Sequence, residues 1–572
     1  MEPVSNHDIA DIITETARLM EVHGMNEFKI KSMQNAAFNI GRMEMPLYKF
    51  SKQELEQIKG IGKSISEKVI EIVSTGTLPE LNALLKDTPS GVVEMMQIKG
   101  IGPKKAATVW KDLGVETPGE LLYACNENRL IELKGFGSKT QEQIKKAIEF
   151  AMGSKGFFHY AALEAPATAM IELLRKTGWF SEVSLTGAIR RKSEVLQNVS
   201  ILAACDSQEQ VIEKIKSSPL FVNFQFEEIA GTLMMSSPDG IVFCLQLTSQ
   251  DTFPLQLFLS TASDSHLLQL KELKAFDQLN SSQITNESDL YKILGLSFVE
   301  PELREGFNEI ELASKNQLPT LIEFQDLKGS LHNHSTYSDG VHTLREMAMA
   351  CRDAGYEYLG ICDHSKSAFY ANGLNEERIA IQHLEIDALN IEMAPFRIFK
   401  GIESDILHDG SLDYPLPVLQ KFDFIVASVH SGLKMTKEKA TERLLKAIAN
   451  PNTTILGHPT GRLLLAREGY PIDHKAVIDE CARHQVVIEL NAHPYRLDLD
   501  WRWIQYALSQ NVRISINPDA HHVSGFHDMY FGVCVARKGM LTKPMTFNTL
   551  SVSEIEQWFL NRKKVQTTET LG

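Results

Sequence analysis

The sequence predicts a multidomain protein with a helical first part, a mixed α/β middle and a β/α barrel at the end. The chain has 572 residues, and a single hydrophobic core rarely grows beyond roughly 250–300 residues. Residues 1–150 have the pattern of short amphipathic helices separated by glycine-containing turns. After Leu327, short apolar strands alternate with helices. Such alternation is typical of a β/α domain with functional loops at its strand ends.

The turns in the helical first part resemble one another. Their sequences are Ile58-Lys59-Gly60-Ile61-Gly62, Ile98-Lys99-Gly100-Ile101-Gly102 and Leu133-Lys134-Gly135-Phe136-Gly137. In a helix-hairpin-helix, the Gly-x-Gly sequence lets amides at a helix N-terminus approach a phosphate. A single copy is more often an ordinary turn between helices, whereas two near-copies favour non-specific DNA binding. The residues predicted to contact DNA are Lys59, Gly60, Gly62, Lys99, Gly100 and Gly102.

Composition narrows the class of protein. The net charge is −15, but residues 1–150 are close to charge balance, so they are the less repulsive surface for a polyanion. No apolar run approaches the roughly 18 residues of a membrane span, and the N-terminus does not have the pattern of a signal peptide. The seven cysteines are far apart, without a C-x-x-C pair. These features predict a cytoplasmic protein with reduced thiols, not bound to a membrane, with nucleoid association as an option.

The middle of the chain changes character. From Gly178 to about Phe258 it is rich in short runs of residues that favour β-strands, for example at 199–202 and 240–245. Residues 259–325 are mixed and polar.

In the C-terminal part, histidines and carboxylates stand at predicted strand ends. In His332-x-His334 both rings point to one face, because side chains alternate along a strand. Asp339 follows five residues later, and Glu403 follows the strand run 396–402. A lone histidine is usually a surface or core residue, but this many strand-end positions indicate a metal site. The predicted metal ligands and catalytic residues are His332, His334, Asp339, His364, Glu403, His430, His458, Asp519 and His521.

This ligand chemistry predicts hydrolysis of a phosphate ester. Imidazole with carboxylate suits manganese, zinc or iron. Two or three such ions held close together suit attack of water on a phosphate ester, and no serine or cysteine nucleophile is needed.

The same motifs resemble the PHP (polymerase and histidinol phosphatase) superfamily. The run 331–340, Leu-His-Asn-His-Ser-Thr-Tyr-Ser-Asp-Gly, is similar to its first motif. The later motifs follow in order at 362–365, 401–403, 428–431, 457–459 and 518–521. The resemblance implies a distorted β/α barrel with a trinuclear metal site, and it assigns the nine residues above as ligands.

Residues 1–320 resemble a family X DNA polymerase. The runs 28–37 and 60–68 are similar to its first domain, and Lys68 occupies the position of the family's Schiff-base lysine, with an ordinary surface lysine as the alternative. With the PHP part, nearly the whole chain resembles bacterial family X polymerases that carry an exonuclease domain. The implied domains are lyase-like (1–80) and fingers-like (81–152), each with a helix-hairpin-helix, palm (153–258), thumb-like (259–318), linker (319–326) and PHP (327–572).

The resemblance breaks at the polymerase centre. The family's palm motif, G-S-x-R-R-x-x-E-x-x-x-D-x-D, aligns with residues 187–200, where Arg190, Arg191 and Glu194 are kept. The positions of the three catalytic aspartates are Asn198, Ser200 and Cys244. Neutral side chains cannot hold the two Mg²⁺ ions that nucleotidyl transfer needs. We therefore predict a degenerate palm without Mg²⁺ that has lost nucleotidyl transfer and helps to dock DNA.

The predicted function is that of a DNA-binding, metal-dependent 3′–5′ exonuclease of DNA repair type. Mn²⁺ is the favoured ion, with Zn²⁺ or Fe²⁺ as alternatives, and gapped or 3′-recessed DNA is the favoured substrate. Arg462 and Arg496 are predicted to contact DNA phosphates, with ordinary salt-bridged arginines as the alternative. The competing functions are a small-molecule phosphatase like the histidinol phosphatases, a non-enzymatic DNA-binding protein and an active gap-filling polymerase.

Overall fold

The computed structural model describes residues 4–43, 45–131, 133–153, 156–273, 275–279 and 283–569. The chain divides into two compact units, Met1–Ala151 and Met152–Gly572. Among the described helices, none is long and apolar enough to cross a membrane. The prediction of a multidomain protein with a helical first part is confirmed.

The first unit is built of helices around an apolar core. They are α1 (Asn6–Val22), α2 (Glu27–Ile40), α3 (Lys52–Leu55), α4 (Lys63–Thr75), α5 (Pro79–Asp87), α6 (Ser90–Met95), α7 (Pro103–Leu113), α8 (Pro118–Asn126) and α9 (Ser138–Gly153). Helix α1 buries Ile9, Ile13 and Met20, which recur at helical spacing and so form one face. A capping box between Ser5 and Asp8 supplies partners for the backbone at its N-terminus.

The second unit begins with the mixed α/β segments that the sequence predicts to be the palm and thumb. The palm sheet has the strand order β2-β4-β7-β6-β5, in which β4 and β7 are parallel and the other pairs are antiparallel. The strands are β1 (Phe158–His159), β2 (Glu182–Leu185), β3 (Val195–Leu196), β4 (Val199–Ala204), β5 (Gln225–Ile229), β6 (Thr232–Ser236) and β7 (Val242–Thr248). The helices are α10 (Tyr160–Lys176), α11 (Gly187–Arg190), α12 (Gln208–Ser217), α13 (Phe253–Thr261), α14 (Asp264–Lys271), α15 (Glu287–Ile293) and α16 (Glu309–Ser314).

The rest of the second unit alternates strands with helices. The strands are β8 (Gly329–Ser330), β9 (Tyr358–Ile361), β10 (Arg397–Lys400), β11 (Glu403–Asp405), β12 (Val426–Ser428), β13 (Ile455–Leu456), β14 (Val487–Asn491) and β15 (Ile514–Asn517). The helices are α17 (Leu344–Asp353), α18 (Glu376–Glu392), α19 (Leu416–Leu419), α20 (Lys437–Ile448), α21 (His474–His484), α22 (Ile504–Ser509), α23 (Met529–Lys538) and α24 (Val552–Glu569).

These strands are parallel and form a distorted barrel. One sheet has the order β10-β9-β8 and the other runs from β11 to β15. Single parallel bridges, Asn333 with Ala520 and His364 with Glu403, join the two sheets. Because the strands are parallel, the loops after them meet at one rim, where β/α barrels carry their functional residues.

The palm and thumb segments are joined to the barrel by a shared core and by ion pairs. One buried apolar cluster includes residues of both the palm sheet and the barrel. Arg537 Nε lies 2.9 Å from Glu302 Oε1, and Lys538 Nζ lies 2.5 Å from Glu305 Oε1. The Lys538 side chain is only 2% exposed, so its carboxylate partner replaces the water that the ammonium loses on burial.

Candidate functional site

Nine side chains meet at the carboxyl rim of the barrel strands. Glu403 opens β11, and the other eight follow strand ends. Each of the nine side chains is at most 7% exposed. They are His332, His334, Asp339, His364, Glu403, His430, His458, Asp519 and His521, the complete set expected from the sequence.

Glu403 lies at the centre of this cluster. Its Oε1 atom is 3.1 Å from Nε2 of His430 and 3.0 Å from Nε2 of His458. Its Oε2 atom is 2.9 Å from Nδ1 of His364, and Oε1 is also 3.3 Å from Nε2 of His332. A single carboxylate therefore faces histidines from four different strand ends, and it would be within reach of more than one bound metal ion.

The local strand structure around Glu403 differs from the expected one. The sequence suggested a single strand over 396–402, whereas β10 ends at Lys400 and a second strand begins at Glu403. A Cβ atom at Gly401 would lie 2.6 Å from the Ile361 carbonyl oxygen and 2.5 Å from the Phe424 ring. Only glycine fits this close approach, and the short break lets Glu403 start a strand of the second sheet.

The donor atoms of eight of the nine residues, all except His458, fall into three overlapping groups. In each group one donor atom per residue lies within 4.8 Å of the others. His334 and His364 each belong to two groups, which places the candidate ion positions next to one another. The groups are His334, Asp339, His364 and His521; His332, His334 and Asp519; and His364, Glu403 and His430.

The cluster has the chemistry of a metal site. Within the described part of the chain, buried atoms of His332, Asp339, His364 and Glu403 have no hydrogen-bond partner. Folded proteins leave few buried polar atoms unpaired, because each one costs free energy. Divalent cations would supply the missing partners, and imidazole nitrogen with carboxylate oxygen suits manganese, iron or zinc. The residues present therefore fit two or three bound ions.

The electrostatics of the cluster keep its carboxylates ionised. Burial disfavours charge on Glu403, but the facing histidines, His430 first, hold its pKa well below the usual range. Burial also disfavours the charged form of His430, yet Glu403 and Asp405 raise its pKa to about 10. The cluster thus concentrates negative charge that a cation would neutralise.

Two carboxylates that the sequence analysis did not single out hold the ligands in place. Glu489 Oε1 lies 2.7 Å from Nδ1 of His332, and Asp405 Oδ1 lies 2.5 Å from Nδ1 of His430. Such contacts fix the ring orientation and direct the other nitrogen at the metal. A signal was present in the sequence, because Glu489 interrupts the apolar run of β14 and Asp405 is two residues beyond Glu403 on the same strand.

The two arginines predicted to contact DNA lie in different surroundings. Arg496 is buried, and its Nε atom is 4.0 Å from Asp519 Oδ2, beside the cluster. Arg462 is 13% exposed and forms ion pairs with Glu194 (2.7 Å) and Asp500 (2.6 Å). Arg462 thus links the palm to the barrel, an arrangement that favours the salt-bridge alternative for this residue. A phosphate contact by Arg496 stays a prediction.

The palm positions lie together, as expected from the family motif, but without carboxylates. Strands β4 and β7 pair in parallel with Ser200 opposite Cys244, and Ser200 Oγ donates to Asn198 Oδ1 at 2.9 Å. Burial raises the pKa of the Cys244 thiol to about 11, so it stays neutral near pH 7. Asn198 and Ser200 are hydrogen-bonded to each other and Cys244 is a buried neutral thiol, so the three positions present no carboxylate for a hard cation.

The palm arginines are paired within the protein. Arg190 forms a two-pronged ion pair with Glu287, with N–O distances of 2.9 and 2.6 Å. Arg191 Nε lies 3.1 Å from Glu305 Oε1. Both arginine side chains are at most 20% exposed, and each guanidinium group is paired with a carboxylate of this protein.

The glycine turns of the first unit share one backbone geometry. Gly60, Gly100 and Gly135 have φ angles of 93°, 96° and 90°, a region that favours glycine. Gly62 and Gly102 are the N-cap residues of α4 and α7 and provide no capping side chain. The first-turn amides are thus left for another acceptor, such as a phosphate. The six residues of these turns that are predicted to contact DNA are all exposed: Lys59, Gly60, Gly62, Lys99, Gly100 and Gly102.

Lys68 is paired with a carboxylate. Its Nζ atom lies 2.5 Å from Glu80 Oε2, and Glu80 also pairs with Lys29 at 2.6 Å. Schiff-base chemistry needs an amine that can attack a carbonyl, whereas Lys68 Nζ is held by the Glu80 carboxylate. A lyase role for Lys68 stays a prediction.

Comparison with known families identifies the parts of the chain. Residues 4–78 match the family model described as helix-hairpin-helix domain, and residues 92–149 match SAM-like helix-hairpin-helix tandem. Residues 330–493 match PHP domain. Two proteins described as probable phosphatases, from Caldicellulosiruptor saccharolyticus and Clostridium acetobutylicum, are 29% and 31% identical over 29% and 28% of this chain, covering 66% and 63% of their own lengths.

The whole chain is similar to one characterised type of protein. It is 33% identical to the DNA polymerase/3′-5′ exonuclease PolX of Bacillus subtilis (strain 168), over 97% of this chain and 99% of that protein. The order of helix-hairpin-helix domains, α/β middle and PHP domain agrees with this match. The chain therefore belongs to the bacterial family X DNA polymerase/3′–5′ exonucleases with a C-terminal PHP domain.

Proposed function

We propose that this protein is a DNA-binding, metal-dependent 3′–5′ exonuclease whose catalytic centre is the nine-residue cluster of the barrel. The observation that carries the proposal is the position of Glu403, whose two oxygens face histidines from four strand ends. A bridging carboxylate among so many nitrogen donors is suited to several ions held close together.

The residues of the cluster have distinct roles in this proposal. Bound ions, Mn²⁺ in particular, would supply Lewis acidity and an activated water for attack on the phosphodiester. Glu403, Asp339 and Asp519 keep their negative charge and hold the ions, while the histidines fix their positions. Arg496, buried beside Asp519, provides a cation for the phosphate that is cut.

The helix-hairpin-helix domains bring DNA to this centre. Exposed glycine turns with neighbouring lysines contact phosphates without reading sequence. An enzyme that shortens 3′ ends and grips the duplex backbone suits gapped or 3′-recessed DNA, which we propose as its substrates.

We further propose that the palm has lost nucleotidyl transfer. Asn198, Ser200 and Cys244 offer no carboxylate, and Arg190 and Arg191 are committed to internal ion pairs. The relative from Bacillus subtilis carries both activities in its name, so this part of the proposal departs from the family.

One experiment tests these statements together. Purified protein with Mn²⁺ is incubated with 5′-labelled, 3′-recessed DNA, with and without deoxynucleoside triphosphates. We expect shortening that His332→Ala and Asp519→Asn abolish and that Glu392→Gln, a change at an exposed position of α18, leaves intact. Extension of the primer would refute the loss of polymerase activity.

A second candidate is a small-molecule phosphatase, which the similarity to two probable phosphatases favours. The same variants are assayed with p-nitrophenyl phosphate. Turnover of this ester by a protein that leaves DNA intact would support the phosphatase and contradict the exonuclease.

A further inference from the structure

The loop that follows the candidate ligand His364 carries two aromatic residues, Phe369 and Tyr370. The Tyr370 ring packs edge-on towards the His364 ring, with 6.1 Å between centroids. Phe369 directly precedes Tyr370 and begins a 3-10 turn that spans Phe369–Ala371. It has 89% of its surface exposed. The loop thus forms a wall of the metal centre and presents a phenylalanine to solvent at its edge.

Phe369 is exposed on a rigid loop. The backbone at Gly373 passes so close to Ser365 that a Cβ atom there would lie 1.9 Å from the Ser365 carbonyl oxygen. Ala368 and Ala371, on either side of the aromatic pair, are buried. The backbone that carries the exposed ring is therefore packed against the fold, so a partner that stacks on the ring has little loop ordering to offset.

Hydrogen bonds tie the same loop to a carboxylate that supports one of the candidate ligands. Ser367 Oγ donates to Asp405 Oδ2 at 2.9 Å, and the Ser367 amide donates to Asp413 at 2.7 Å. The other oxygen of Asp405 contacts His430. One carboxylate therefore positions both a ligand of the cluster and the loop that carries Phe369.

The exposure of Phe369 has no explanation in the fold. Among the described large apolar residues it has the highest exposed fraction, above Phe28 at 86% and Ile391 at 83%. Its exposed neighbours in sequence, Asn372 and Asn375, are polar. A single exposed aromatic ring suits one flat partner of similar size.

We infer that Phe369 stacks on the 3′-terminal base of the strand that is cut at the metal centre. This inference rests on the proposed exonuclease function and names the part of the substrate that the site recognises. Every base has a π-face, so stacking accepts any sequence. Stacking would also allow the site to discriminate a DNA end from a phosphate ester that has no base. Phe369 is a substrate-positioning residue and takes no part in the chemistry.

The test changes the Phe369 ring and the terminal base of the DNA, separately and together, and measures KM for each combination. Two 3′-recessed DNAs are compared, one ending in a normal nucleotide and one ending in a nucleotide with a tetrahydrofuran in place of base and sugar. For the wild type we expect a KM about 10- to 100-fold lower on the first DNA, from the usual strength of base–aromatic stacking. Phe369→Ala removes this preference, and Phe369→Trp restores it. Ile391→Ala, equally exposed but on α18, keeps it.

The outcomes separate the inference from the proposed function. If the wild type does not shorten DNA, the exonuclease proposal fails. If it shortens DNA and Phe369→Ala keeps the full preference for the terminal base, only the inference on Phe369 is overturned. It is also overturned if Phe369→Ala slows both DNAs by the same factor, since the ring would then act through the loop and not through the base.

Discussion

Replacing Glu489 with glutamine tests whether the contacts behind the cluster control metal binding. Glu489 Oε1 accepts hydrogen bonds from Nδ1 of His332 at 2.7 Å and from Nδ2 of Asn517 at 3.1 Å. Its Oε2 accepts the backbone N–H of His458 at 2.8 Å. All three partners are donors, whereas a glutamine offers one acceptor oxygen and one NH₂ group. The NH₂ must therefore face a donor, and at least one ligand loses its support.

The size of the effect follows from the contact that is lost. A hydrogen bond to a charged group contributes about 1.5–3 kcal/mol. With about 1.4 kcal/mol for each factor of ten, metal binding should weaken roughly 10- to 100-fold, the range usual for residues that orient metal ligands. Both Glu489 and His332 are fully buried, so solvent does not reduce this loss.

The assay is a Mn²⁺ titration of 3′-end shortening, starting from metal-free protein. We expect the half-saturating Mn²⁺ concentration of Glu489→Gln to rise roughly 10- to 100-fold, while the same change at exposed Glu392 has no effect. An unchanged titration curve with an unchanged maximal rate would refute the argument that Glu489 holds His332 in place.

Three further predictions concern DNA contacts and stability. Lys59→Ala and Lys99→Ala should each lower the slope of log binding constant against log salt by about 1, measured by fluorescence anisotropy; equal slopes would contradict phosphate contacts. Arg462→Ala should destabilise the second unit by about 3 kcal/mol, since it leaves Glu194 without its cation and leaves Asp500 with Arg502 alone, and it should leave the salt slope unchanged. Burial lowers the pKa of His159 to about 4, below the usual 6.5 or so. Its contribution is therefore present above pH 6.5 or so and lost towards pH 4, and the unfolding free energy should fall there by about 3 kcal/mol. This fall should be absent in His159→Gln, and an equal fall in that variant would contradict the assignment.

The fold class and the nine cluster residues could be predicted because both have local signals. Histidines and carboxylates at strand ends are visible in the sequence, and parallel strands bring their ends to one rim. Gly60 and Gly100 were recognisable for a similar reason, since a positive φ leaves glycine as the favoured residue. The role of the nine cluster residues as metal ligands stays a proposal, as does the role of the two glycines as DNA contacts.

Other features depend on contacts between distant parts of the chain. Arg462 is next to a Gly-His-Pro motif in sequence, but its partner Glu194 is 268 residues away. Phe369 resembles an ordinary core residue in the sequence, and only the fold leaves it exposed. Glu489 is a single carboxylate in an apolar strand, and its purpose becomes visible only beside His332.

The ion pairs between the thumb and the barrel determine where the chain can be divided for separate study. A fragment that begins at Leu327 would contain Arg537 and Lys538 but not Glu302 and Glu305, and it would expose an apolar surface that the palm covers. Such a fragment should aggregate or lose its metal-site geometry, even though it contains all nine cluster residues. The division between the two compact units, near Ala151, cuts none of these pairs. A fragment that lacks the helix-hairpin-helix domains is therefore best started near Met152.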